Sequence, residues 1–398
     1  MAHTQSLPQR GDAASRFTVL MLWVLLAVFV VYPLVRLLAM AFTVDGSFTL
    51  ENLRPFVESW YDRQAAVNSI LLGCSVGVAG TVLGFIFAFA VTRLSLPKWL
   101  CTAVSAVTLL PLISPPFTSS IALTLSLGPN GILLDFFGLG NFNFYGFWGT
   151  FISETLTFFP VAFMTLSTIL ARIDPNLEDA AYSLGASSFK VFRTVTLPLA
   201  APGIANAFLL VFSCSLADFA TPQVLGGHSF PVLPTQAYLV ITGMYDFKGG
   251  AALSFMLLIP AIIVYSLQRW WVGKKSYVTV SGKAGGRSSV KGPGPLLSSV
   301  IVATVAVVIA FILYLYAIIL TGSLVKVWGV NNEITLENYS YVFTHGSKAI
   351  KDTLLIACIG TPLGGLLAVL VGYATARLKV RGSRILETVS LLNYTLPG

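Results

Sequence analysis

"EDAAYSLGASSFKVFRTVTLPLAAPGI" (residues 178–204) decides how this chain is read. It holds Glu178, Asp179, Lys190 and Arg193, with Asp174 just upstream, and long apolar runs flank it. A charged side chain at the centre of a membrane helix costs about 2.5–3.5 kcal/mol, so these four together would cost about 10 kcal/mol or more. The stretch therefore does not cross a bilayer. Its pattern is still helical. Leu177, Ala181, Leu184, Ser188, Phe192 and Val195 recur at spacings of three and four, which predicts one apolar stripe on the membrane face. Asp174 is placed to cap a helix with Pro175 in its first turn, Gly185 to end it, and Ser187 to cap a second short helix.

The flanking runs set the class. Of 398 residues, 56% are hydrophobic and 10% charged, against roughly 25% charged in a soluble domain. Several runs exceed the roughly 18–20 residues that a membrane-crossing helix needs. We expect an all-α polytopic bundle with spans near 18–43, 66–93, 99–127, 146–172, 199–221, 250–272, 297–322 and 350–377, and a ninth beginning near 385. The first run is longer than a signal-peptide core and is interrupted by Pro33 and Arg36, so it reads as a retained span.

Orientation follows from the basic residues. Most of the 24 Lys and Arg fall on segments that share a side with the N-terminus, including the run from Arg269 to Lys291. Arg54, Arg63, Lys248, Lys326, Lys348 and Lys351 fall on the other side. Basic loops stay inside, which predicts a cytoplasmic N-terminus. The net charge of +8 is thus a topology signal. Scattered charges without interleaved aromatics do not make a nucleic-acid surface. Cys74, Cys101, Cys214 and Cys358 all fall within spans and lack metal-site spacing, so neither a disulfide framework nor zinc is expected.

The chain repeats itself. Thr49-Leu50-Glu51-Asn52 recurs as Thr335-Leu336-Glu337-Asn338, and "NSILLGCSVGVAGTVLGFIFAFAVTRL" (68–94) aligns with "DTLLIACIGTPLGGLLAVLVGYATARL" (352–378). Both copies start on the same side, so the repeat is parallel. The expected organisation is an N-terminal span and outer loop (1–65), a first membrane domain (66–272) carrying the loop at 174–198, a Gly/Ser/Lys-rich cytoplasmic linker (273–296), and the start of a second domain (297–398). Pro115 aligns with Pro397, in the middle of a span. The repeat length predicts a native product longer by roughly 160–180 residues, carrying a second loop of the 174–198 type. The alternative is a homodimer that pairs two first-half loops.

Asp179-Ala180-Ala181, then Gly185, Val195 and Leu197-Pro198, resembles the EAA loop of permease subunits of ATP-binding-cassette importers. That pattern is Glu-Ala-Ala, three residues, Gly, nine residues, Ile, one residue, Leu-Pro. Asp179 stands for the usual Glu and Val195 for the usual Ile. The resemblance implies the type I importer permease fold and assigns Glu178, Asp179, Ala180, Ala181, Gly185, Leu197 and Pro198 to a loop that docks on a cytoplasmic ATPase dimer. It also implies a periplasmic or lipid-anchored solute-binding protein as partner, and a bacterial inner-membrane location. ATP would be bound by the ATPase, since no G-x-x-x-x-G-K-[ST] occurs in this chain. The chain would then be a transport subunit and not itself an enzyme.

The solute is less legible. "SLADFATPQVLGG" (215–227) and the segment after it resemble fused ferric-iron permeases, with thiamine, phosphonate and polyamine permeases as alternatives. Asp218 and Glu154 are ionisable groups at membrane depth, and such groups are candidates for lining the pathway. From the residues alone, Asp218 also fits a helix-end group reaching water, and Glu154 a hydrogen-bonded packing residue. Pro111, Pro115, Pro116 and Pro160 mark helix breaks, which are tolerated where backbone lines a cavity. The segments 44–65, 128–145, 222–249 and 323–349 are the expected outer loops for the binding protein. An ion-driven secondary transporter would also use repeats, but has no use for an ATPase dock.

Overall fold

The computed structural model describes residues 13–44, 46–129, 131–138, 143–274, 294–376, 385–386 and 389–390. The chain enters as α1 (Ala13–Leu26), which continues through a π-turn at Ala27–Val31 into α2 (Tyr32–Phe42). Pro33 accounts for the π-turn. It has no N–H, and its ring crowds the carbonyl four residues back, so the hydrogen-bond ladder widens just ahead of it.

A hairpin of β1 (Thr43–Val44) and β2 (Ser47–Phe48) and the short α3 (Arg54–Glu58) lead to α4 (Trp60–Arg93). The expected span 99–127 is two helices, α5 (Lys98–Ile113) and α6 (Thr118–Leu127). They are bent by 96° at a break that contains Pro115 and Pro116. The short α7 (Ile132–Phe137) precedes α8 (Phe147–Arg172). Next come α9 (Pro175–Ser183), α10 (Ser188–Val191), a second π-turn at Phe192–Thr196 and α11 (Leu197–Ala217). This π-turn also ends two residues before a proline, Pro198. The helix at Ser188 is therefore not a separate element. It runs through the π-turn into the span, which ends at Ala217 instead of 221.

The chain continues with α12 (Ala220–Leu225), α13 (Leu233–Gly243) and α14 (Phe247–Lys274). It resumes with α15 (Pro295–Ser323), a hairpin of β3 (Val325–Val327) and β4 (Asn331–Ile334), α16 (Glu337–His345) and α17 (Ser347–Ala376). Among the described residues, 7 helices are long and apolar enough to cross a membrane, or 8 if the bent pair is one span. Residues 275–293 of the expected linker, and most of the expected ninth span, lie outside the described residues.

α4 is the axis of the core and packs against α8 and α11. Its small residues permit this. A Cβ on Gly84 would come within 2.5 Å of Ala162 Cβ and 2.7 Å of the Phe163 nitrogen. Helix backbones that approach so closely gain van der Waals contact, which drives helix association in lipid. The segment 222–249, expected as an outer loop, is partly core. Residues Val232 to Ala237 are buried. Asn68 Nδ2 donates to Pro231 O at 2.9 Å, and Leu233 N donates to Ser69 Oγ at 2.8 Å. These bonds satisfy backbone groups that burial would otherwise leave unpaired.

The repeat is visible in geometry. Thr49 Oγ1 accepts from Glu51 N, and Thr335 Oγ1 from Glu337 N, both at 3.1 Å. Asn52 Nδ2 donates to Met40 O at 3.1 Å and Ala41 O at 3.2 Å, and Asn338 Nδ2 to Ser323 O at 3.1 Å and Val325 O at 2.9 Å. In each copy the Asn satisfies carbonyls orphaned at the end of the first span. The first spans also touch the other copy, although α2, the second half of the first one, packs on α14. α15 lies on α4, α5 and α6, where Tyr314 bonds Ser126 and Trp328 Nε1 donates to Leu125 O, each at 2.9 Å. α1 lies on α17, with Leu22, Leu26 and Val30 clustered against Ala374.

Candidate functional site

The 174–198 segment folds as a capped helix, a tight turn, and the root of a span. Asp174 accepts from Asn176 N at 3.0 Å and opens α9. Gly185 closes it at φ +81°, with Gly185 N donating to Tyr182 O at 3.0 Å and Ala186 N to Ala181 O at 3.1 Å. This is the paired 5→2 and 6→1 closure of a Schellman motif, and the positive φ favours glycine. Ser187 takes the cap position of α10 without a side-chain cap bond.

The predicted apolar stripe is not one face. Of its members, Leu177 and Leu184 are exposed, Leu184 by 89%, while Ala181, Ser188, Phe192 and Val195 are half-buried; Phe189, outside the stripe, is 64% exposed. The turn at Gly185 and the π-turn each change the helical phase, so a period read across them does not hold. Leu184 and Phe189 flank the Gly185 turn as its exposed apolar tip, and in the helix before it Ala180 is exposed and Asp179 and Ala181 are half-buried. Leu197 and Pro198 sit at the exposed start of α11.

Glu178 points the other way. It is buried, accepts from Thr196 Oγ1 at 2.8 Å, and pairs with Arg93 Nη2 at 3.4 Å. Arg93 Nη2 also donates to Leu170 O at 3.1 Å. Sequence reading counted Arg93 only as a topology charge and did not single out Thr196. A signal was present: the second-span copies align Arg93 with Arg377 at the close of "VTRL" and "ATARL".

A second polar centre lies deeper. Glu154 of α8 is fully buried and accepts from Ser215 Oγ of α11, and its Oε1 has no hydrogen-bond partner among the described residues. Asp218, just past α11 and three residues after Ser215, accepts from Ala220 N at 3.0 Å. Of the two acids picked from sequence, Glu154 thus bonds α11 directly and Asp218 follows the end of that helix. Buried hydroxyls continue the seam: Thr157 Oγ1 donates to Ser119 Oγ at 3.1 Å, and Ser120 and Ser153 meet at 3.4 Å. Among the described residues, no three His, Cys, Asp or Glu side chains gather as a metal site.

Comparison with known proteins fits this arrangement. Residues 80–276 match the family described as binding-protein-dependent transport system inner membrane component. A putative ferric transport system permease protein of Haemophilus influenzae is 34% identical over 98% of this chain and 63% of its own length. A ferric transport system permease protein of Actinobacillus pleuropneumoniae is 34% identical over 98% of this chain and 58% of its own. The chain thus spans about three fifths of these relatives. A spermidine/putrescine transport system permease protein of Haemophilus influenzae is 27% identical over 60% of this chain. Among solved structures, a bacterial ABC transporter that imports alginate superposes with a TM-score of 0.56 at 16% identity, covering 66% of this chain and 96% of its own. This likeness shows the fold, that of ABC importer permeases.

Proposed function

With residues 80–276 matching the binding-protein-dependent transport system inner membrane components, we propose that this chain is the permease of an ATP-driven importer in a bacterial inner membrane. Its cargo in this reading is ferric iron, supported by the two ferric permeases that match 98% of the chain. The first membrane domain covers 66–272, the linker 273–296, and a second, repeated domain begins at 297. The N-terminus lies in the cytoplasm, on the side of the basic loops.

The observation that carries the reading is the apolar tip at Leu184 and Phe189. Leu184 and Phe189 are exposed together on either side of one capped turn, and adjoining exposed apolar side chains mark an interaction surface. The tip is the docking surface for the ATPase, and Ala180 and Ala181 let that partner approach closely. ATP binding draws the docked helices together, and the spans change which side they open to. A solute-binding protein delivers cargo to the opposite face. Glu154 and Asp218 lie on the cargo's route, in a seam of hydroxyls that a desolvated cation could contact.

The test is ferric-iron uptake into vesicles holding the complete transporter with its ATPase and binding protein. Gly185→Pro and Ala180→Glu are expected to abolish uptake while membrane insertion stays normal. Wild-type uptake in both would refute the docking assignment. Glu154→Gln and Asp218→Asn are expected to change uptake more than expression. Wild-type rates in both would make the two acids structural.

A further inference from the structure

The docking arm is fastened to the bundle by one buried polar knot. Glu178 is 4% exposed and Arg93 6%. Arg93 is the last residue of α4, and Leu170, whose carbonyl it engages, is two residues from the end of α8. Thr196, whose hydroxyl donates to Glu178, is the last residue of the π-turn that roots α11. One carboxylate on α9 thereby gathers the ends of three spans. These are also the spans that pack most closely on one another.

We propose that the Arg93–Glu178–Thr196 knot is the mechanical link that delivers displacement of α9 to α4, α8 and α11. Glu178 is then a positioning residue facing the bundle, and the ATPase meets Leu184, Phe189 and Ala180 on the opposite face. The inference rests on the docking reading above and deepens it. Three features favour a link over a packing accident. The pair is charged and buried, which has a desolvation cost that apolar packing would avoid. It bridges segments distant in sequence. It also sits beside a π-turn, where a helix tolerates local adjustment, so a stiff tie is needed there for motion to pass without slack. The aligned Arg377 puts the same cation at the close of the second copy's equivalent span.

The experiment measures iron uptake per ATP hydrolysed by the complete transporter in proteoliposomes, together with ATPase co-purification and the thermal midpoint. Glu178→Gln and Arg93→Gln are each expected to lower uptake per ATP about tenfold while the ATPase still co-purifies. The double variant should be no worse than either single one, because both break the same contact. Thr196→Val is expected to lower the ratio about threefold with an unchanged thermal midpoint, and it carries the test if the charge variants fail to assemble. A wild-type ratio in Thr196→Val, or fully additive charge variants, overturns the link. Loss of ATPase binding in Glu178→Gln also overturns it, by placing Glu178 in the interface itself. If instead Leu184→Asp leaves ATPase binding and uptake intact, the docking reading fails, whatever the knot does.

Discussion

α4 and α17 occupy corresponding places in the sequence repeat and differ sharply in surroundings. The most apolar window of α4 is 44% buried inside the structure and that of α17 is 0% buried. A Cβ on Gly84 of α4 would strike Ala162, and one on Gly77 would sit 2.8 Å from the Phe208 ring. On α17, a Cβ on Gly364 meets nothing within 4 Å. The helices themselves explain none of this. α4 has α8 and α11 against it, while among the described residues α17 touches mainly α1 and α16. The comparison teaches that small residues on a membrane helix announce a close neighbour without supplying it. The same pattern is a filled seam in one place and an open one in the other.

Substitutions can break or sharpen that contrast. The largest effect is expected at Gly84→Val. Overpacking costs about 1–3 kcal/mol and more where backbone is struck, so the purified protein should lose most of its folded fraction. Gly364→Val in this 398-residue chain should leave the thermal midpoint nearly unchanged. Equal losses at both sites would erase the contrast. A smaller effect separates the repeated Asn residues. Asn52 is partly buried and reaches three carbonyls, whereas Asn338 is exposed and reaches two. Asn52→Ala should cost about 1–2 kcal/mol and Asn338→Ala less than about 1 kcal/mol, read as shifts in thermal unfolding in detergent. The smallest effect is expected at Gly364→Ala. Its open site and helical backbone should make it neutral, or stabilising by up to about 1 kcal/mol.

The spans were legible because hydrophobic length is a one-dimensional property. α8, α14, α15 and α17 begin and end within a few residues of the runs that predict them. The cap at Asp174 and the closure at Gly185 were legible because they are local. Three features were not. The single span 99–127 became a bent pair because Pro115 and Pro116 act on direction, which hydropathy does not encode. Residues 231–241 read as loop because their partners, Asn68 and Ser69, lie far away in sequence. The inward turn of Glu178 depends on Arg93, which shares no local pattern with it. Glu154 and Asp218 were readable as residue types, but the bond from Ser215 to Glu154 depends on α8 lying against α11.

The π-turns have one more consequence. Each holds one residue more than the α-turn it replaces, and one residue is worth about 100° of helix rotation. The face of α10 is therefore offset by that angle from the face α11 would give it by simple continuation. Pro198 makes the offset permanent, since it has no N–H to offer Thr194 and the regular ladder cannot re-form there. In Pro198→Ala the ladder would be free to anneal, and the docking arm would swing about the helix axis like a key turned in its barrel. Glu178 would then leave Arg93. A disulfide engineered between α9 and the end of α4 should form in the wild type and fail in that variant; equal yields in both would show that proline does not set the angle of the arm.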